Sequence, residues 1–368
     1  MRRSTIVIHS LHGGGVERIT AAMANHWAAV GDKVTLISLD HDRDDRYPLN
    51  PNVSRVALDL MSESTGVWEA MYRNVDRIRK LRTAIHESKP DVVVSLLERT
   101  NILTLMACAG LNVRNVICER TDPRHYDIGR VWSSLRRLTY PRCGALVVQT
   151  QGVASWARGI VGGRPVFVVP NPVLDPSLPA ATDEQREPII LCMGRLDPVK
   201  AFDCAIEGFG LIAEHHPDWK LRILGEGPER PALEAQIADL NLSQQVDLPG
   251  WVNDPVDELL GGRIFLLTSR WEGFPNAILE AMACGLPTVS FDIESGPSEI
   301  IRVGTDGFLI EPGRVDMLAT AMQLLMSDDE LRCELAASAP DVVQRFGREE
   351  FFRQWDAILD KGKETTNN

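Results

Sequence analysis

The chain has 368 residues, a formal net charge of −12, and 44% hydrophobic against 24% charged residues. That length exceeds the roughly 250–300 residues at which a single core stops growing, so two domains are expected. No apolar run approaches the ~18 residues of a membrane-spanning helix, and seven cysteines without a C-x-x-C spacing fit reduced thiols of a cytoplasmic protein rather than a disulfide framework or a zinc site.

The charge is uneven. Residues 1–170 carry 23 Lys/Arg against 16 Asp/Glu, and the remainder carries 16 against 35. A basic half joined to an acidic half suggests different partners: anionic lipid, nucleic acid or a phosphorylated substrate for the first. Uneven solvated surface is the alternative.

In chain order, "STIVIHS" reads as a first strand, since its apolar run is short and has no small-residue cleavage site. The glycines of "HGGGVERI" follow. "KVTLISL" is a second strand, and "DHDRDD", residues 40–45, reads as a solvated charge run although it contains a D-x-D spacing. Residues 66–88 form a helix with Arg73, Arg77 and Lys80 at i, i+4 and i+7 and apolar Trp68, Met71, Val75, Ile78 and Leu81, a pattern suited to lying on an anionic membrane. A packed helix with a solvated basic side is the other reading. "DVVVSLL", "NVICE", "ALVVQT" and "PVFVVP" complete the first set of strands, with Arg130, Arg136, Arg137 and Arg142 around "VWSSLRRLTYPRC" adding basic character. Residues 170–188 hold five prolines and no strand or helix period, which marks a linker. "PIILCMG", "WKLRILG", "RIFLLTS" and "PTVSFD" form a second set. Strands alternating with helices predict two doubly wound parallel-sheet α/β domains, with ligands at the strand carboxyl ends in a central cleft. The expected divisions are residues 1–170, a Pro-rich linker over 171–188, and residues 189–344, with a C-terminal helix at about 345–362 packing back on the first domain.

"EGFPNAILE", residues 272–280, carries the chemistry. Pro275 suits a first helical turn, and a helix through Ala277 to about Ala283 stops before Gly285 and Pro287. A helix amino terminus favours phosphate. Two carboxylates beside it fit a nucleoside diphosphate sugar, with Glu272 in the turn reaching the sugar and Glu280, about two turns down the helix, reaching the ribose. Arg195 and Lys200 of "MGRLDPVK" supply cations for the diphosphate. Neither the amino-terminal glycines nor "GEGPER" (225–230) satisfies G-x-G-x-x-G, which argues against a nicotinamide enzyme.

These residues resemble the family 4 retaining glycosyltransferases of GT-B fold over nearly the whole chain. The family's E-x7-E motif matches Glu272 and Glu280, and its Arg/Lys pair matches Arg195 and Lys200; Ala201 replaces the usual glycine after the lysine. The resemblance implies that Gly14, Gly15 and Glu17, with Arg18 in register, approach the donor, and that Val252 in "GWVNDP" lies where the base is held. Backbone groups of Phe274, Pro275, Asn276 and Ala277 are expected to face the donor. "ICERTDPRHY" resembles the segment found in capsule, exopolysaccharide and O-antigen transferases. It puts Glu119 and Arg120 on the acceptor or membrane side and leaves His125 as the candidate catalytic-face histidine. The family mechanism is front-face attack without metal, cofactor or enzymic nucleophile. The expectation is a UDP-linked donor, a lipid-diphosphate-linked glycan acceptor, and peripheral binding to the cytoplasmic leaflet of the membrane, with no nucleic-acid partner. A catalytically idle nucleotide-sugar-binding subunit and a GT-B epimerase are the alternatives.

Overall fold

The computed structural model describes residues 1–61, 67–174, 185–252 and 254–361. It divides into two units, Met1–Asn171 with Glu349–Asn368, and Pro172–Arg348. Most of the proline-rich stretch, residues 175–184, lies outside the described residues.

The first unit holds strands β1 (Arg3–Ile8), β2 (Lys33–Ser38), β3 (Val53–Ala57), β4 (Val92–Leu96), β5 (Arg114–Cys118), β6 (Ala145–Val148) and β7 (Val166–Val168). They form one parallel sheet in the order β3-β2-β1-β4-β5-β6-β7. Helices α1 (Gly15–Ala29), α2 (Val67–Ser88), α3 (Glu98–Ala107), α4 (Arg130–Thr139) and α5 (Gln151–Ile160) connect them. The central strands are buried along nearly their whole length, as expected where crossover helices cover both faces.

The second unit holds β8 (Ile189–Met193), β9 (Lys220–Leu224), β10 (Val246–Gly250), β11 (Ile264–Leu267), β12 (Thr288–Phe291) and β13 (Gly307–Ile310), parallel in the order β10-β9-β8-β11-β12-β13. Its helices are α6 (Phe202–Gly210), α7 (Arg230–Asp239), α8 (Val256–Gly261), α9 (Asn276–Ala283), α10 (Pro297–Ile300), α11 (Val315–Ser327), α12 (Asp329–Ser338) and α13 (Val342–Arg345). Alternate residues of a strand point to opposite faces. Ile190, Cys192, Ile264 and Leu266 therefore enter one core with α6 and α11, while Ile189, Leu191, Phe265 and Leu267 enter another with α8 and α9.

Helix α14 (Arg348–Asp360) packs on the first unit. Trp355 meets the Trp27 ring edge-on at 6.2 Å, and Phe352 stacks on His26 at 3.8 Å. Buried Arg2 pairs with Asp32, Asp356 and Asp360, and Arg114 donates to the carbonyls of Ile358 and Leu359.

Both sheets have the doubly wound parallel architecture, but three strands escaped the sequence reading: β3, β10 and β13. All three lie at sheet edges. An edge strand is covered on fewer sides, so "VSRVA" and "VDLPG" carry charge, proline and glycine in place of a continuous apolar run. Five of the seven cysteines are buried, and burial pushes the Cys118 thiol up to about 11. Among the described residues no helix is long and apolar enough to cross a membrane.

Candidate functional site

A doubly wound sheet opens a crevice where consecutive connections leave in opposite directions. In the second unit that point lies between β8, which leads to β9, and β11, which leads to β12. The loops after these two strands carry Arg195, Lys200 and Glu272. Lys200 Nζ donates to Glu272 Oε1 at 2.5 Å, and Ser269 Oγ donates to the same oxygen at 2.7 Å. Backbone bonds stitch the loops together: Arg270 N to Val199 O at 2.7 Å, and Thr268 Oγ1 to Lys200 O at 2.9 Å. A cation and a carboxylate are thus held side by side at the centre of the strand carboxyl ends. Arg195 is placed differently. Its side chain is 74% exposed and its guanidinium pairs with Asp197 at 2.6 Å.

The glycines of "GEGPER" explain how the Arg195 loop keeps its shape. A Cβ on Gly225 would stand 1.9 Å from Gly194 O, and one on Gly227 would stand 2.2 Å from Leu196 O. The two loops press together through Leu196 N to Glu226 O (2.9 Å) and Glu229 N to Leu196 O (3.0 Å). Gly225 N bonds Gly250 O at 2.8 Å, which joins the loop carrying Trp251 and half-buried Val252 to the same stack. Ala201, the helix N-cap, has φ 48° and ψ 44°, the left-handed conformation that glycine adopts without penalty.

Helix α9 begins at Asn276 with Pro275 as its N-cap, one residue later than the sequence placed it. Glu280 is therefore about one turn into the helix, not two. The Phe274 side chain is buried 6.0 Å from the Phe346 ring and Pro275 is buried too, so both can offer only backbone to a ligand. A Cβ on Gly296 would lie 2.4 Å from Pro275 Cδ, so the loop after β12 closes over the turn. Asn276, Ala277 and Glu280 are half-buried. Gly285, at φ 79°, ends the helix, and Leu286 N bonds back to Ala281 O.

In the first unit the corresponding divergence lies between β1 and β4. Gly14 has φ 154°, and the Tyr47 hydroxyl bonds both its N (3.1 Å) and its O (3.0 Å). A Cβ there would meet Glu17 Oε2 at 2.4 Å. Burial raises the Glu17 pKa, while a bond from its own backbone lowers it. Glu17 thus folds back on the first turn of α1, where Gly15 is the first residue. His12 stacks on His41 with centroids 4.6 Å apart, and these two with Asp44 bring three metal-ligand atoms within 4.8 Å of one another. Rings only 27° from parallel point their in-plane lone pairs alongside one another, a poor start for a convergent ligand set. The "DHDRDD" stretch is only partly a solvated run: Asp42, Arg43 and Asp44 are exposed, but Asp45 takes a two-pronged bond from Arg55 of β3.

Two family models cover the chain between them. "Glycosyltransferase Family 4" matches residues 13–174 and "Glycosyl transferases group 1" matches residues 177–342. The chain belongs to glycosyltransferase family 4. An α-1,4-N-acetyl-D-galactosaminyltransferase of Campylobacter jejuni, named for a GalNAc-GalNAc-diNAcBac glycan on diphospho-undecaprenol, is 25% identical over 361 residues, 98% of each chain. An exopolysaccharide phosphotransferase of Streptomyces coelicolor is 30% identical over 295 residues, 79% of this chain, and the match spans only 31% of that relative's length. The crystal structure of Anabaena HepE with UDP and glucose matches with a TM-score of 0.81 over 98% of this chain and all of that one, at 19% identity, a likeness of fold.

Several expected contacts of the transferase are overturned by burial. Glu119 (1% exposed) and Arg120 lie inside the first unit and cannot face a membrane surface. Glu119 accepts a short bond from the Tyr140 hydroxyl and pairs with Arg136 at 3.6 Å, while Arg120 donates to Asn171. Burial lifts the Glu119 carboxyl to about 7 against the opposing pull of Arg136 and Tyr140. Arg136 is also interior, over the rings of Tyr140 and Trp156. On α2, Arg73 pairs with Glu69 and Lys80 with Asp76, while Arg77 donates to Leu60 O and Asn74. The three cations are therefore engaged within their own surroundings and do not form a bare basic ridge. The side chains of Trp68 and Met71 lie outside the described residues. His125 is exposed in the turn after β5, its backbone N bonded to Asp122 O. Sequence reasoning missed Ser269, the Gly225 and Gly227 packing, and Glu98. "TSRWEG" held a signal for the first, a hydroxyl three residues before the glutamate.

Proposed function

We propose that this transferase moves a sugar, with retained configuration and without a metal, from a UDP-linked donor to a lipid-diphosphate-linked glycan of a bacterial surface polysaccharide. The observation that carries the reading is Lys200 held against Glu272 at the divergence of β8 and β11. An ammonium between a carboxylate and an incoming diphosphate can stabilise the charge that builds on the leaving phosphate, and Arg195, on the same loop, adds a second cation. Glu272 orients the sugar hydroxyls, and Glu280 accepts from the ribose. In the front-face step the acceptor oxygen bonds to the anomeric carbon as the bond from that carbon to phosphate oxygen breaks on the same face. The hydroxyl proton passes to the departing phosphate. The activity for which the Campylobacter relative is named supports the acceptor class, and the UDP and glucose of the HepE structure support the donor.

Membrane contact belongs in this reading to α4 rather than α2. Val131 and Leu138 are 71% and 62% exposed on that helix, beside exposed Arg130 and Arg137, with exposed Arg142 just beyond. Apolar anchors flanked by arginines suit the surface of an anionic leaflet.

The test is a screen of nucleotide sugars for release of nucleoside diphosphate, with and without membrane extract, using wild type and Glu272→Gln. Donor-dependent release stimulated by extract and lost in the variant is expected. Unchanged transfer by Glu272→Gln refutes the assigned role, and binding without turnover would mark an idle subunit.

A further inference from the structure

Two groups of the second unit share one oxygen of one carboxylate. Lys200 Nζ and Ser269 Oγ both donate to Glu272 Oε1, at 2.5 and 2.7 Å. Among the described residues Glu272 Oε2 accepts no hydrogen bond, and it is not sealed from solvent: the side chain is 13% exposed. One oxygen is therefore taken and the other is open. An ionised carboxylate accepts through both oxygens, so the open one is ready for a hydroxyl.

Regular structure does not fix this side chain, because Glu272 lies between β11 and α9 in a stretch that is neither strand nor helix. The residues just before it are fastened instead. Thr268 Oγ1 donates to Lys200 O at 2.9 Å, Arg270 N to Val199 O at 2.7 Å, and Arg270 Nε to Pro198 O at 3.0 Å. Ser269 sits between these two anchors and is 1% exposed. Its hydroxyl rides on a single torsion, so backbone position and hydroxyl position are set together.

Lys200 is a different kind of partner. Its ammonium ends a flexible four-carbon stem, and its side chain is 23% exposed. In the proposed reaction the same ammonium must also meet the diphosphate, which competes with Glu272 for it. A neutral, buried hydroxyl faces no such competition.

We propose that Ser269 is a positioning residue for Glu272: its hydroxyl holds Oε1, so that Oε2 stays aimed at the hydroxyls of the donor sugar when Lys200 turns to the diphosphate. The inference rests on the proposed donor reading, in which Glu272 orients the sugar, and every group it uses belongs to the second unit. Loss of the hydroxyl leaves the diphosphate contacts in place and loosens the sugar alone, and a loosened reacting group costs rate.

The experiment compares wild type, Ser269→Ala and Ser269→Thr in UDP release from UDP-glucose, UDP-galactose and their N-acetylated forms, with UDP itself as the competing product. Ser269→Ala should lower kcat about 10- to 100-fold, the size of a lost hydrogen bond to a charged group. The fall should be the same with and without membrane extract, because the fault lies in the donor and not in the acceptor. The inhibition constant for UDP should not change. Ser269→Thr, which keeps the hydroxyl, should recover most of the rate. An unchanged kcat in Ser269→Ala overturns the assignment. So does a parallel loss of UDP affinity, which would make Ser269 a structural residue of the loop, and so does a Thr variant that binds UDP normally yet turns over like Ala. If wild type releases UDP from none of these sugars, it is the UDP-donor reading that fails, and this inference with it.

Discussion

The carboxyl ends of the two sheets solve the same topological problem with different chemistry. In the second unit the polar groups at the divergence are short-range and mutually satisfied: Lys200 with Glu272, Ser269 with Glu272, Arg195 with Asp197. In the first, buried Glu98 after β4, Glu119 after β5 and Arg136 on α4 leave Glu98 Oε2, Glu119 Oε2 and Arg136 Nη2 without a hydrogen bond among the described residues. A charge that must meet a phosphate works best near solvent, where it can exchange one partner for another at small desolvation cost. A buried polar group in a dry, rigid setting makes stronger hydrogen bonds where it is paired and costs more where it is not.

The largest effect expected from this contrast is on Lys200. Lys200→Ala should lower turnover about 100- to 1,000-fold, the usual loss when one preorganised charge-stabilising group is removed. Arg195→Ala, at an exposed guanidinium, should act mainly on donor KM and fade at high salt, as steady-state kinetics at two ionic strengths would show. If Arg195 proves the costlier of the two, the placement of the leaving-group cation is wrong.

Next comes the pH dependence of the first unit. The folded Glu119 carboxyl titrates at about 7 against an ordinary 4.5. The folded state therefore holds this proton more tightly than the unfolded chain, so stability is greatest below pH 4.5 and is lost as pH rises toward 7, on the order of 3 kcal/mol in all. Glu119→Gln should remove that slope. The difference in thermal midpoint between wild type and variant, followed from pH 5 to 8, should shift against wild type, and a constant difference would deny the buried titration.

Smaller effects separate the loops of the second unit. Gly225→Ala forces a methyl into the Gly194 carbonyl and should cost about 1–3 kcal/mol, with a parallel loss of donor affinity. Calorimetry with and without UDP would read both. Ala201→Gly should stay within about 1 kcal/mol of wild type. Relief of the left-handed strain, about 1–2 kcal/mol, is offset by about 0.4–1 kcal/mol of unfolded-state entropy and by loss of a buried methyl. A large stabilisation would mean that the strain has been understated.

The second unit was more legible than the first, for a physical reason. Arg195, Lys200, Glu272 and Glu280 fall in two short segments, each following a buried strand that reads as an unbroken apolar run. The Lys200–Glu272 contact follows once β8 and β11 are neighbours. In the first unit the important polar groups come from separated segments, Ser95 to Asn101, Glu119, and Arg136 to Tyr140, and none has a spacing that distinguishes a buried charge from a solvated one. Arg136 and Glu119 were therefore read as surface, and Glu98 was not read at all.

The chain by itself determined the two doubly wound sheets and the charged motif of the second, because strand burial and local charge spacing are properties of contiguous residues. Tertiary structure alone decided the edge strands, the glycine contacts that shape the Arg195 loop, and the engagement of the α2 cations with their neighbours. It also decided the burial of Glu98 and Glu119, because burial and partner choice depend on residues brought together across the sheet rather than along the chain.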